Sequence, residues 1–310
     1  MIEQSLPIAT LRQTLIDEIG NAFGLPKQYI IRCFFDPLFW LPAERFAKIG
    51  IRFDQIVAER GFCEAARWIL PRFVQDIFAL GSDQIPPEGP LLVTSNHPGT
   101  VDSLAITAAL CRNDIKIVAS GIPFIKNLPF TRQHIIFVTQ NIQERMLAIR
   151  EGIRHLQKGG ALLIFPSGNL DPDPAVLPGA NESLTRWSSS LEIILRKAPQ
   201  TNVLITIVSG VLSQSCIQHP LTRLRKGFRE RQKLAEFLQV IQQLLSYKNF
   251  ELIPRITFEM LQSPIDHRSS NLSWSNLQSL INKAQQLLEV HLSYFAPMKP
   301  LQIDAHNPDK

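Results

Sequence analysis

The sequence predicts an α/β protein: a mixed, largely parallel sheet flanked by helices and preceded by an N-terminal helical region. Two observations carry that expectation. From Pro90 onward, short β-rich apolar runs alternate with stretches of helical period. Such alternation builds strand-helix-strand units around a covered sheet. Ahead of Pro90 the apolar spacing is helical and no comparable strand run stands out.

Within residues 1–80 the helical stretches are Ile8 to Phe23, Pro42 to Ile49, and Phe53 to Leu80 with a break near Pro71. Phe34, Phe35, Phe39, Trp40, Phe46, Phe53, Phe62 and Trp68 are interleaved there with Arg32, Arg45, Lys48, Arg52, Arg60, Arg67 and Arg72. That mixture suits an interfacial helix pair, and equally a helical subdomain packed on a sheet. Strands are expected at Leu91 to Thr94, Ile115 to Ala119, Ile135 to Thr139, Ala161 to Phe165, Val203 to Val208 and Leu252 to Phe258. Helices are expected at Asp102 to Cys111, Ile142 to Gln157, Asn181 to Lys197, Glu230 to Tyr247 and Trp274 to Tyr294. Gly159-Gly160 after Lys158 is a helix stop before the next strand. The division that follows is a helical region over 1–80, an α/β domain over 81–300 and a flexible tail over 301–310.

The chain has 310 residues, 45% hydrophobic and 19% charged, which is enough to bury a large core and argues against disorder before the tail. Its net charge of +5 favours anionic partners. Arg223, Arg225, Lys226, Arg229, Arg231 and Lys233 form one basic cluster, either a solvated face or an attachment to an anionic bilayer. The cluster lacks interleaved aromatics or a base-reading motif, so nucleic acid is not the expected partner. Cys33, Cys63, Cys111 and Cys216 lie far apart with no C-x-x-C spacing. Neither a zinc site nor a disulfide framework is expected, and a reducing cytosol fits. No basic n-region with an apolar h-region opens the chain, and no apolar run approaches the ~20 residues of a spanning helix. A soluble or membrane-surface protein is expected.

The chemistry concentrates in Pro90 to Leu110, where an apolar strand runs through Asn96, His97 and the Pro98-Gly99 turn into an apolar helix starting at Asp102. An imidazole and a carboxylate then meet at a strand's C-terminal end, where open α/β sheets place their sites. The plainer alternative makes Asp102 only a helix cap and His97 only a turn residue. Gly168, in Phe165-Pro166-Ser167-Gly168-Asn169, admits two readings: a ligand approaching where a Cβ would stand, or an ordinary turn. The same segment is not a G-x-S-x-G elbow, so Ser167 is a poor candidate nucleophile. His134, His155, His219, His267 and His291 lack metal-ligand spacing, and no metal is expected.

The stretch from about Pro90 to Val211 resembles the phospholipid/glycerol acyltransferase family, which includes the lysophosphatidate acyltransferases. Asn96-His97-x4-Asp102 matches the family's first motif. Ile122-Pro123-Phe124-Ile125 resembles the segment before the second. His134 to Gln140, with Phe137, stands where the family has Gly-x-x-Phe-Ile-x-Arg. Phe165 to Asn169 stands where it has Phe-Pro-Glu-Gly-Thr, and Leu204 to Val208 occupies the place of its Val-Pro-Val strand. Three departures bear on the acceptor: Gln140 replaces the family's arginine, Ser167 its glutamate and Leu170 a basic residue. An amide is no substitute for a bidentate guanidinium phosphate clamp. Lys126, Arg132 and Arg186 are other possible sources of charge.

The resemblance implies transfer of a fatty acyl group from acyl-CoA or acyl-carrier protein to a hydroxyl of a glycerolipid-type acceptor. His97 is then the general base, oriented by Asp102. Asn96, Gly99, Thr100, Phe137, Gln140, Phe165, Pro166, Ser167, Gly168 and Asn169 are expected to line the substrate site, with backbone N–H groups around Gly99 or Gly168 as oxyanion donors. No cofactor is expected beyond the acyl thioester co-substrate. The expected location is cytoplasmic, at the inner face of a membrane. The competing readings are a lipid-binding or scaffold protein that has lost the acceptor chemistry, and a thioesterase or lipase-like hydrolase.

Overall fold

Leu91 to Ser95 is buried at every position, and a strand buried on both faces belongs in the middle of a sheet covered on both sides. The computed structural model describes residues 8–25, 29–120, 123–139, 141–246, 250–261 and 276–295. Its helices are α1 (Ile8–Ala22), α2 (Tyr29–Arg60), α3 (Phe62–Ile69), α4 (Asp102–Leu110), α5 (Pro123–Lys126), α6 (Ile142–Gln157), α7 (Ala180–Leu184), α8 (Ser190–Lys197), α9 (Gln214–Ile217), α10 (Phe228–Ser246) and α11 (Leu277–Tyr294). The strands are β1 (Phe78–Leu80), β2 (Leu91–Ser95), β3 (Lys116–Ser120), β4 (Ile135–Val138), β5 (Ala161–Ile164), β6 (Asn202–Ser209) and β7 (Arg255–Leu261).

The seven strands among the described residues join one sheet in the order β1-β7-β6-β2-β5-β3-β4, with β2 at its centre. Every neighbouring pair is parallel except β6 and β7. This is the mixed, largely parallel sheet that the alternation predicts. Alternate residues of each central strand enter opposite cores. Leu91, Val93, Leu163, Leu204 and Val208 pack with α2, α3 and α4 on one face. Leu92, Leu162, Ile164, Val203, Ile205 and Ile207 pack with α6, α8 and α11 on the other. A third core joins α1 to α2 and α5 through Leu11, Leu15, Ala43, Ala47 and Phe124.

Several boundaries differ from expectation. α2 continues through Pro37 and Pro42, although Pro42 reads as a helix start. Packing of α1 on Ala43 and Ala47 outweighs the lost backbone bonds. The expected helix from Phe53 to Leu80 is interrupted at Gly61, whose φ of 91° suits glycine, and its last residues are strand β1. β1 pairs in parallel with β7, so the sheet starts before residue 81. The helix expected over Asn181 to Lys197 divides into α7 and α8, because the Ser188 N–H turns away to the Pro166 carbonyl. β7 begins three residues later than expected, just after Pro254, which has no N–H for the ladder. Of the N-terminal aromatics, Phe53 and Phe62 are core residues, whereas Trp40 is exposed. The side chain of Phe34, and those of Arg32 and Cys33, lie outside the described residues, as does Trp274.

Candidate active site

Three adjacent parallel strands, β5, β2 and β6, end side by side, and the loops leaving them form the site. His97 follows β2. Its Nδ1 lies 2.8 Å from Asp102 Oδ2, so Nδ1–H donates to the carboxylate and Nε2 is left for other partners. The same Oδ2 accepts the Gly99 N–H at 3.1 Å. Asp102 is fully buried, and α4 is preceded by Val101 with no side-chain cap. The cap reading of Asp102 therefore does not describe this carboxylate, which serves the imidazole and its turn. The His97 side chain keeps 28% of its exposure and stacks on Phe165 with ring centroids 4.3 Å apart. One ring edge is held and the side chain is still reachable.

The turn is fixed from every side. The Asn96 amide is nearly buried and completes the β2–β6 ladder, donating to the Val208 carbonyl and accepting the Val208 N–H. Expected to line the substrate site, it is instead spent on the backbone. Asp171 Oδ2 accepts the His97 N–H at 2.9 Å and the Ser167 hydroxyl at 3.0 Å, while the Asp171 N–H donates to the His97 carbonyl. Asp173, fully buried, accepts four N–H groups, from Ala175, Gly210, Val211 and Leu212. It ties the loop after β5 to the end of β6.

α10 closes the arrangement with a polar inner face. Gln232 donates to the carbonyls of Pro98 and Asp171. Glu236 accepts the Thr100 hydroxyl at 2.8 Å. Gln239 accepts the Ser213 N–H and donates to the Val211 carbonyl, and Gln243 donates to the Phe73 carbonyl. All four are buried. Sequence reasoning missed them together with Asp171 and Asp173. A signal did exist, because 232, 236, 239 and 243 recur at the spacing of one helix face, which here is polar where an apolar stripe is the rule.

The charges around His97 are arranged to favour its cation. Burial alone pushes the imidazole down, but Asp102 beside it, with Glu236 and Asp171 nearby, overrides this and lifts its pKa to about 9. Burial pushes Glu236 up to about 7 against the pull of the Thr100 hydroxyl and His97. Burial also raises Asp171, against the His97 N–H and the Ser167 hydroxyl.

The remaining expected site residues fall as follows. Thr100 is exposed and its hydroxyl is held by Glu236. Phe137, at the end of β4, carries Lys126 5.4 Å from its ring centroid. Pro166 is buried, and the Ser167 hydroxyl bonds to Asp171 and to the Asn169 carbonyl and N–H, so none of these bonds engages His97. Gly168 is exposed with φ 65°, and a Cβ there would meet nothing within 4 Å, so the turn itself explains this glycine. Asn169 is exposed and bonds back to Ser167. Gln140 and Ile122 lie outside the described residues. The Gly99 and Gly168 N–H groups, expected as oxyanion donors, are committed to Asp102 and to the Phe165 carbonyl. Of the other cations, Arg186 lies near enough to Asp171 to offset a little of the rise that burial causes in its carboxyl, and Arg132 is exposed. No helix among the described residues is long and apolar enough to cross a membrane.

An α/β sheet with an imidazole–carboxylate pair at the end of its central strand is a recognisable enzyme architecture. Residues 76–187 match the model of the family described as Acyltransferase, and this segment holds β1 through α7 with both His97 and Asp102. The chain is similar to this family over that segment. Its fold is similar to the crystal structure of the 1-acyl-sn-glycerophosphate (LPA) acyltransferase PlsC from Thermotoga maritima, at 15% identity over 94% of each chain with a TM-score of 0.42. A comparison with curated proteins finds no match.

Proposed function

We propose that this protein transfers a fatty acyl group from acyl-CoA or acyl-carrier protein to a hydroxyl of a glycerolipid-type acceptor, with His97 as general base and Asp102 as its orienter. The observation that carries this reading is the 2.8 Å His97–Asp102 bond, which leaves Nε2 for the proton of an acceptor hydroxyl. The hydroxyl oxygen attacks the thioester carbonyl carbon as Nε2 takes its proton. The tetrahedral intermediate then collapses, the carbon–sulfur bond breaks, and the imidazolium returns the proton to the departing thiolate. The products are the ester and the free thiol. Asp102 holds the ring in the required tautomer and stabilises the imidazolium.

Lys126 beside Phe137 and Arg186 near Asp171 support an anionic group in the substrates, in a sequence where Gln140 and Ser167 stand at the positions of the family's arginine and glutamate. The surface from residue 221 to 233 supports attachment to an anionic membrane face from the cytoplasmic side. Leu221, Leu224 and Phe228 are exposed among Arg223, Lys226, Arg229, Arg231 and Lys233, the mixture an interfacial segment requires. Arg225 is a correction within that cluster: its guanidinium donates to the Ala22 carbonyl at the end of α1, so it joins elements together. Neutralising Arg223, Lys226 and Arg229 should weaken sedimentation with phosphatidylserine vesicles about 100-fold at low salt. Unchanged binding would remove the cluster from the account.

The deciding experiment supplies radiolabelled acyl-CoA and acyl-carrier protein with a panel of lysophospholipids, glycerol phosphate and neutral lipid alcohols. Acylated acceptor is expected. Free fatty acid as the sole labelled product would identify a hydrolase, and no product with vesicle binding intact would identify a lipid-binding protein.

A further inference from the structure

We infer that Cys63 and Cys111 are a redox-modifiable dithiol that closes into a disulfide joining the start of α3 to the end of α4. The two sulfurs lie 2.7 Å apart, although 48 residues separate them in the chain. Both cysteines are free thiols; Cys63 is buried and Cys111 is exposed. The frame around them is fixed by bonds of its own. The Cys63 N–H donates to the Asn113 side chain, Arg67 Nε donates to the Ala108 carbonyl, and Arg112 bonds to Asp114 and to the Pro86 and Gly159 carbonyls. The thiols are therefore held together by this frame with no covalent bond between them.

Cys111 ends α4 with φ 50° and ψ 40°, a left-handed position that glycine or asparagine fills at lower cost. A strained cysteine held against a second cysteine is an outlier that packing does not require. Cys63 donates its S–H toward Cys111. Burial and the neighbouring thiol push Cys63 up to about 12, whereas Cys111 is exposed near the Arg67 guanidinium and is the sulfur a small oxidant can reach. The oxidant is a low-molecular-weight disulfide. Cys111 thiolate attacks one of its sulfurs, expels one small thiolate and forms a mixed disulfide. Cys63, losing its proton, then attacks the Cys111 sulfur and expels the second. Two protein thiols are oxidised to one disulfide, and one small disulfide is reduced to two thiols.

The experiment treats reduced, full-length protein with oxidised glutathione, alkylates the remaining thiols and maps the peptides by mass spectrometry. The wild type is expected to yield a Cys63–Cys111 cross-linked peptide, reversed by dithiothreitol, and a melting temperature several degrees above that of the reduced form. Cys63→Ser is expected to trap glutathione on Cys111, because the resolving thiol is gone. Cys111→Ser is expected to leave Cys63 unmodified in the folded protein. A wild type in which both cysteines stay alkylatable, or in which glutathione persists on Cys111, would overturn the inference.

Discussion

His97 meets Asp102 through one carboxylate oxygen, and that oxygen also holds the Gly99 N–H, so ring and turn are set by a single atom. With its pKa lifted to about 9, His97 carries a proton at neutral pH in the free protein, and the base form grows as pH rises. The rate kcat/KM is therefore expected to climb through the alkaline range. Glu236 contributes negative charge to that shift, so Glu236→Gln should move the rising limb to lower pH while Thr100 keeps an amide oxygen as acceptor. A pH–rate profile on both proteins checks this, and an unmoved limb would place Glu236 outside the electrostatics of the base. At this scale the sequence was informative where chemistry is local. His97, Asp102 and the turn between them span six consecutive residues and read directly. Asp171 and Glu236 reach the same turn from 74 and 136 residues away, and no local pattern announces them. Cys63 and Cys111 were hidden for the same reason: their adjacency belongs to how α3 packs on α4.

α10 links the loops at the site, and its contacts predict a contrast within one helix. Gln232 holds the carbonyls of Pro98 and Asp171 beside His97, whereas Gln243, on the same face, holds Phe73 in the segment after α3. Gln232→Leu should lower kcat about ten- to a hundredfold with the fold retained, since small displacements of a reacting group are costly. Gln243→Leu should lower the melting temperature and leave kcat near wild type. Steady-state kinetics with thermal melts on both variants separate the two effects. The elements most legible in the sequence carry their own end signals. α6 was expected over Ile142 to Gln157 and forms there, because Asn141 accepts the N–H groups of Gln143 and Glu144 and Gly159 follows the last turn. Elements set by distant packing were less legible. β1 is three residues long and exists by pairing with β7, and α2 crosses two prolines because α1 packs against it.

Across the whole molecule, two histidines, the half-buried His97 and the fully buried His291, bend the stability curve in opposite directions. His291 is fully buried between the hydroxyls of Ser209 and Thr257, and burial, with Arg255 nearby, pushes it down to about 4. A depressed histidine contributes stability that is present above its unfolded pKa, about 6.5, and is lost as pH falls toward 4. His97 is raised, so its contribution is full below about 6.5 and is lost as pH climbs through about 9. The melting temperature should decline on both sides of neutrality, with His291→Gln flattening the acid limb and His97→Gln the alkaline one. Equal slopes in wild type and variants would refute that assignment. The sheet's class was legible because its central strands are largely apolar runs. The place of the dyad at the middle of the sheet depended on strand order, which sequence spacing does not encode. The most direct test of the central claim is the rate of acyl transfer by His97→Ala beside wild type, with vesicle binding and melting temperature measured on the same samples. Turnover is expected to fall at least about 10²-fold with binding and fold retained. A His97→Ala protein that transfers acyl groups at the wild-type rate would contradict that claim.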